Sequence, residues 1–192
     1  MIGHDGVVAL RGSRTSLIAA AGSLVLATTL SSCTVPTAGF AAIGVDEDGG
    51  LIGLIQMCDH HVDGATLYRS DGPPNDRSRR PILGRWESGD AVTDFARWSL
   101  ASPSDGWTAS TGYEDPHAGA EYAIYGWTHD NSWSAQHAHF TLAQVNTLQP
   151  GQVLYKSGLI TTEAYFRQHA CDVYREPLVF VVDVVVERAL GS

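Results

Sequence analysis

Lysine is almost missing from this chain: Lys156 stands alone among 192 residues, against eleven arginines. Basic charge is scarce altogether. From residue 33 onward the sequence carries ten Arg and Lys against twenty Asp and Glu, a net charge of −10. Such a surface repels phosphate backbones and anionic headgroups, which excludes nucleic acid as the expected partner. The charge serves solubility, and the arginine bias points to a GC-rich genome rather than to a binding function. Hydrolase and nucleotide signatures are lacking too. No Gly-x-Ser-x-Gly elbow, His-Glu-x-x-His helix or Walker-type loop occurs. There is no internal repeat and no low-complexity segment. No apolar run reaches the ~20 residues that a membrane-spanning helix needs.

What the N-terminus does have is a short leader. Arg11 and Arg14 precede residues 15–30, where Leu, Ile and Val mix with Ala, Gly, Ser and Thr. A basic region followed by a short apolar region reads as an export signal. It ends on Leu30-Ser31-Ser32-Cys33, which resembles the lipobox of bacterial lipoproteins, where a small residue precedes a cysteine that is cleaved and lipidated. An ordinary cleaved signal also accepts small residues near Ser32, but the thiol favours lipidation. The expectation is a signal peptide over residues 1–32 and an acylated Cys33, carrying a diacylglyceryl thioether and an N-acyl chain such as palmitate. A tether over 33–38 and a domain over 39–192 follow. The chain is then exported and held on the outer face of the cell membrane, since more than one acyl chain anchors durably. Residues 34–38 span at most ~18 Å, so the domain stays near the bilayer.

Cysteine is sparse, with three in the chain. With Cys33 taken by lipid, Cys58 and Cys171 remain. An even remainder in an exported protein favours a disulfide. Closing so long a loop is worth at most ~4.7 kcal/mol in the chain-entropy model. Two separate buried thiols are the alternative.

The domain reads mainly as strands. Residues 40–45 and 51–57 flank a turn whose Asp48-Gly49 is a hairpin signal. Residues 65–69, 82–86 and 93–100 are further strand candidates. Residues 70–81 hold three prolines, three arginines and no apolar side chain, and read as a solvated loop. Residues 101–118 read as a long loop. The clearest pair is 122–128 with 133–141, joined through His129-Asp130-Asn131-Ser132. Residues 142–148 suggest a helical turn or two stopped by Pro150-Gly151, and Thr161 or Thr162 caps a helix over 163–170. In that helix Tyr165, Phe166 and His169 are expected to share a face. Residues 178–186 are β-branched and apolar, as in a strand covered on both faces, with Asp183 at its rim or paired.

About seven short strands with turn signals between them favour a single β-sandwich of immunoglobulin or fibronectin III type, with a C-terminal helix–strand extension. Gly119-Ala120-Glu121-Tyr122 and Tyr122-Ala123-Ile124-Tyr125 resemble the tyrosine corner and penultimate strand of fibronectin type III domains. The Leu-x-Pro that usually precedes that glycine is absent. Four longer stretches are similar to a group of actinobacterial exported lipoproteins. They are Val45-Asp46-Glu47-Asp48-Gly49, Val62-Asp63-Gly64-Ala65-Thr66-Leu67-Tyr68-Arg69, Tyr125-Gly126-Trp127-Thr128-His129-Asp130-Asn131-Ser132 and Leu148-Gln149-Pro150-Gly151-Gln152-Val153. That resemblance implies an exported, lipid-anchored β-rich domain and implies no activity.

Two places merit a chemical reading. His137 and His139 alternate within one strand, so both imidazoles lie on one face, with Ala138 and Phe140 toward the core. Such a pair suits zinc or copper, given a third ligand; His129, Asp130 and His60 are the candidates. A polar strand face that merely holds two histidines is the competing reading, and no cofactor is the primary expectation. Cys58-Asp59-His60-His61 contains the letters of Asp-His-His phosphoesterases without their other aspartate motifs. The turn at Asp46 and Asp48 has Met57 where a calcium loop needs glutamate. The second place is aromatic. Trp127 and Trp133 bracket the His129–Asp130 turn and Trp107 lies in the long loop, so the five residues can form one patch for a cell-envelope protein or glycan. Cross-strand packing of Trp127 on Trp133 is the alternative.

The sequence thus predicts a membrane-anchored envelope lipoprotein acting as a binding or interaction module, with no catalytic residue assigned. A metal-dependent hydrolase using His137 and His139 is the rival. A structural or accessory subunit of an envelope complex is the third reading.

Overall fold

The computed structural model describes residues 34–71 and 80–172. The expected signal peptide, the lipidation at Cys33 and the strand over 178–186 lie outside the described residues.

The first described elements form a hairpin of β1 (Thr37–Val45) and β2 (Leu51–Met57), paired from Gly39↔Met57 to Val45↔Leu51. The Asp46 carboxylate holds the turn by accepting the Asp48 and Gly50 N–H groups at 3.0 and 2.7 Å, and Gly49 supplies the left-handed residue at φ 81°. Six strands follow: β3 (Val62–Arg69), β4 (Ile82–Val92), β5 (Phe95–Ser99), β6 (Trp107–Thr111), β7 (Glu121–Trp127) and β8 (Ser134–Thr141). The turn α1 (Leu142–Val145) leads to β9 (Gln152–Tyr155), β10 (Leu159–Thr162) and α2 (Glu163–His169).

The protein is mainly β, as expected. In place of two sheets packed face to face, backbone pairing runs without a break through one ten-stranded sheet. Its main path is β5-β2-β1-β8-β7-β3-β4-β6. The hairpin β9–β10 joins the second half of β1 at Ala42↔Tyr155 to Gly44↔Val153, beyond the point where β1 leaves β8. Every pair is antiparallel except β1 with β8. The two ends of the path curl toward each other, so the sheet is nearly closed into a barrel. Trp98 on β5 stacks on Trp107 of β6 at 4.2 Å between centroids, and Trp86 of β4 sits 6.0 Å from Trp98.

Two apolar layers hold this shape. Inside lie Ala41, Ile43, Ile55, Leu67, Ile124 and Ala138 with the three tryptophans. Outside β1 and β2, α2 packs Phe166 onto Phe40, Ala42, Ile52, Leu54, Val153 and Tyr155. Strands β1 and β2 are therefore buried on both faces, and neither strand carries a charged residue. Thr162 caps α2 by accepting the Tyr165 N–H at 3.1 Å. The expected common face of α2 splits: Phe166 is fully buried, while Tyr165 is exposed beside His169. A disulfide joins Cys58 to Cys171, with Cα atoms 5.3 Å apart, and fastens the end of α2 to the end of β2.

Three strands depart from the sequence reading. β6 lies within the expected loop over 101–118, because only Trp107 of its five residues is buried and the rest carry no apolar signal. β9 and β10 are four residues each, too short to show a period. The tyrosine corner is present: the Tyr122 hydroxyl accepts the His117 N–H at 2.7 Å and donates to the His117 carbonyl at 3.1 Å.

Candidate functional site

Barrels of about this size hold a ligand only where side chains leave the interior open. Here Trp86, Trp98 and Leu100 are fully buried and Trp107 nearly so, and they fill it. Among the described residues, two open hollows stand out on the outer surface. One, of about 690 Å³, runs beside α2 between Asp94 and Arg167. The other, of about 500 Å³, lies between Glu121 and Asn146. Neither gathers a catalytic set of side chains. No helix among the described residues is long and apolar enough to cross a membrane.

The aromatic patch expected around the β7–β8 connection is divided by the sheet. Trp107 does not reach it; the ring is buried against Trp98 inside the barrel. Trp127 lies on the outer face, where its ring covers Gly64 of the neighbouring strand. A Cβ there would stand 2.4 Å from the indole. Its N–H donates to Thr66 Oγ1 at 2.9 Å, and the Arg85 guanidinium lies 4.1 Å above it. Trp127 is thus buried and committed to the sheet. Trp133 packs toward the interior cluster and stacks face to face with His60 at 3.5 Å. Trp127 ends β7 on the outer face while Trp133 lies in the connection and turns to the interior, so the two rings do not pack on each other across the hairpin. His129 sits edge-on to Trp127, with its backbone N–H on the Asp63 carboxylate. Asp130 accepts the Ser132 N–H, and its pKa is lowered to about 2, first by the Ser132 hydroxyl, then by that N–H and by the Thr128 hydroxyl.

The histidine pair is placed differently. Alternation along β8 puts Ala138 and Phe140 in the core and both imidazoles on the outer face, 5.9 Å apart. The pairing β7–β8 carries a bulge. Ile124 faces Ala138 and Gly126 faces Ala135, so Gln136 and His137 together oppose Tyr125. A bulge re-aims the extra side chain. Here it lays the His137 ring on Tyr125, 4.6 Å between centroids and 21° from parallel. Tyr68 of β3 closes the group, edge-on to Tyr125 at 5.9 Å and to His137 at 6.0 Å. The His137 pKa is lowered to about 4, first by burial, then by His139 and Arg80. His137 is therefore a neutral ring at pH 7, while His139 is exposed to solvent.

As metal ligands the two histidines stand alone. Among the described residues no three His, Cys, Asp or Glu side chains converge into a set that would hold an ion. His129, Asp130 and His60, the suggested third ligands, belong to the barrel rim, where His60 stacks on Trp133 and the others bond locally. The structure thus brings together Tyr68, Tyr125, His137 and His139. The two tyrosines were not singled out from sequence. Both alternate outward on their strands, but their meeting depends on the β3–β7 register, in which Thr66 faces Tyr125.

No family model matches this chain, and no curated protein or solved structure matches it either.

Proposed function

We propose that this chain is an exported, lipid-anchored binding module of the cell surface whose contact face is the outer side of β3, β7 and β8. The observation that carries this reading is the Tyr68–Tyr125–His137–His139 array. These rings face away from a barrel core that is complete without them, and aromatic rings placed on an outer face are characteristic of recognition surfaces. Ring planes beside imidazole nitrogens and the Gln136 amide offer stacking and hydrogen bonding together, which fits a glycan of the cell envelope. The Cys58–Cys171 disulfide supports residence in an oxidising compartment. The lipobox-like sequence at Cys33 supports the anchor.

The test is co-sedimentation with purified envelope polysaccharide. Tyr125→Ala and His139→Ala are each expected to weaken binding about tenfold, equivalent to ~1.4 kcal/mol. His139 is exposed, so its replacement leaves folding intact. Wild-type binding by both variants contradicts this contact face. Retention by envelope protein but not polysaccharide would reassign the partner to a protein.

A further inference from the structure

We infer that in the anchored protein one end of the barrel, the rim carrying His60 and Trp133, is the surface that meets the bilayer. This rests on the lipid anchor proposed above and adds an orientation to it.

The strand order defines that rim. β1 starts there and β2 ends there, since Gly39 faces Met57. β8 starts beside Thr37, β7 ends opposite Ser134, and β3 begins beside Trp127. The rim is therefore built from the β2–β3 connection, residues 58–61, the β7–β8 connection, residues 128–133, and the short β4–β5 connection, residues 93–94, whose Asp94 carbonyl accepts the Met57 N–H. The first two turn through a left-handed residue, His60 at φ 53° and Asn131 at φ 57°. The β1–β2 turn at residues 46–50 lies at the opposite end.

The chain enters the barrel at this rim and is fixed there. The Pro36 carbonyl accepts both the backbone N–H of Ser134 at 2.9 Å and its hydroxyl at 3.2 Å. Ser134 directly follows Trp133. Cys33 is three residues before Pro36, a reach of at most ~11 Å even when fully extended. Acyl chains on Cys33 thus hold the rim within about one headgroup layer of the bilayer, whereas residues 46–50 lie a full strand length further away.

The rim suits that position. Trp133 and His60 form a flat stacked pair beside the entry point, and amphipathic rings favour the boundary where one side is apolar and the other wet. The rim is also acidic, with Asp59, Asp63, Asp94 and Asp130 on it. Asp63 accepts the His129 N–H, Asp94 the Gln56 Nε2–H and Asp130 the Ser132 N–H, bonds that hold the carboxylates in place without cancelling their charge. Such a rim repels anionic headgroups, so a zwitterionic surface is the matching lipid chemistry. The outer β3–β7–β8 face and the far turns stay open to partners.

The experiment is hydrogen exchange by mass spectrometry on the native, full-length protein in phosphatidylcholine vesicles. The Cys33→Ser form mixed with the same vesicles is the control. The expected result is flotation of the native protein with the vesicles. Exchange should slow by about threefold or more at 58–61 and 128–133, with no change at 46–50, and the control should show neither effect. Native protein that floats but is protected at 46–50, or nowhere, overturns the orientation while leaving the anchor intact. Native protein that does not float removes the anchor, and the orientation with it.

Discussion

His137 gives the most direct test of the outer face at the level of one residue. Its pKa falls from 6.5 to about 4, first because the half-buried ring is shielded from water against Tyr125, with His139 and Arg80 adding repulsion to any charge it gains. In the unfolded chain the same imidazole takes its proton near pH 6.5. Between these values the unfolded state binds more protons than the folded state. Stability is therefore lost as pH falls from about 6.5 to about 4. Replacing His137 with Gln removes this linkage. We expect thermal midpoints of the variant to fall less steeply than wild type between pH 7 and pH 4; parallel slopes would show that the ring is solvated. Strand alternation alone was enough to place His137 and His139 on one face with Ala138 and Phe140 behind them. The stack on Tyr125 was not legible, because it depends on the β7–β8 bulge, and the contact with Tyr68 depends on the β3–β7 register as well.

Among the elements, β2 and β5 show how tryptophan closes the sheet. Gly53 and Trp98 are cross-strand partners, and the ring lies so close that a Cβ on residue 53 would stand 2.3 Å from it. Glycine is required here by the close approach, not by its backbone angles. Trp98 in turn carries the stack on Trp107 that brings the two ends of the sheet together. Trp98→Ala is expected to cost about 3–5 kcal/mol by the lost burial and the cavity it leaves. Gly53→Val should also destabilise the fold, by forcing that ring out of place. Urea unfolding monitored by circular dichroism measures both, and a near-neutral Trp98→Ala would mean that the stack does not hold the barrel. The β1–β2 hairpin, β7, β8 and the cap of α2 were readable because each shows a local signal: an Asp-Gly turn, period-two alternation or a capping threonine. β6 offered one buried residue in five, and β9 and β10 were too short to show a period. The single sheet was hidden for another reason. It depends on the parallel β1–β8 pairing and the β2–β5 contact, which join segments that no local pattern relates.

At the scale of the whole molecule, three properties fit together. The domain is acidic, its last described helix is tied to β2 by the Cys58–Cys171 disulfide, and its core leaves the interior of the barrel filled. A filled, cross-linked barrel is a scaffold that presents surfaces, and in the anchored form proposed above a lipid on Cys33 would decide which surface is presented. The cysteine pairing was legible from parity and the expectation of export alone. The exclusion of the barrel interior as a ligand site required the packed tryptophans to be seen. The proposed cell-surface placement and the orientation of the barrel both depend on the protein being held at a membrane by Cys33, and the mass of the native N-terminal peptide from the membrane fraction tests that most directly. The expected result is a chain that begins at Cys33 and carries acyl groups there. A chain that begins downstream of Cys33, or one whose Cys33 is unmodified, would contradict it.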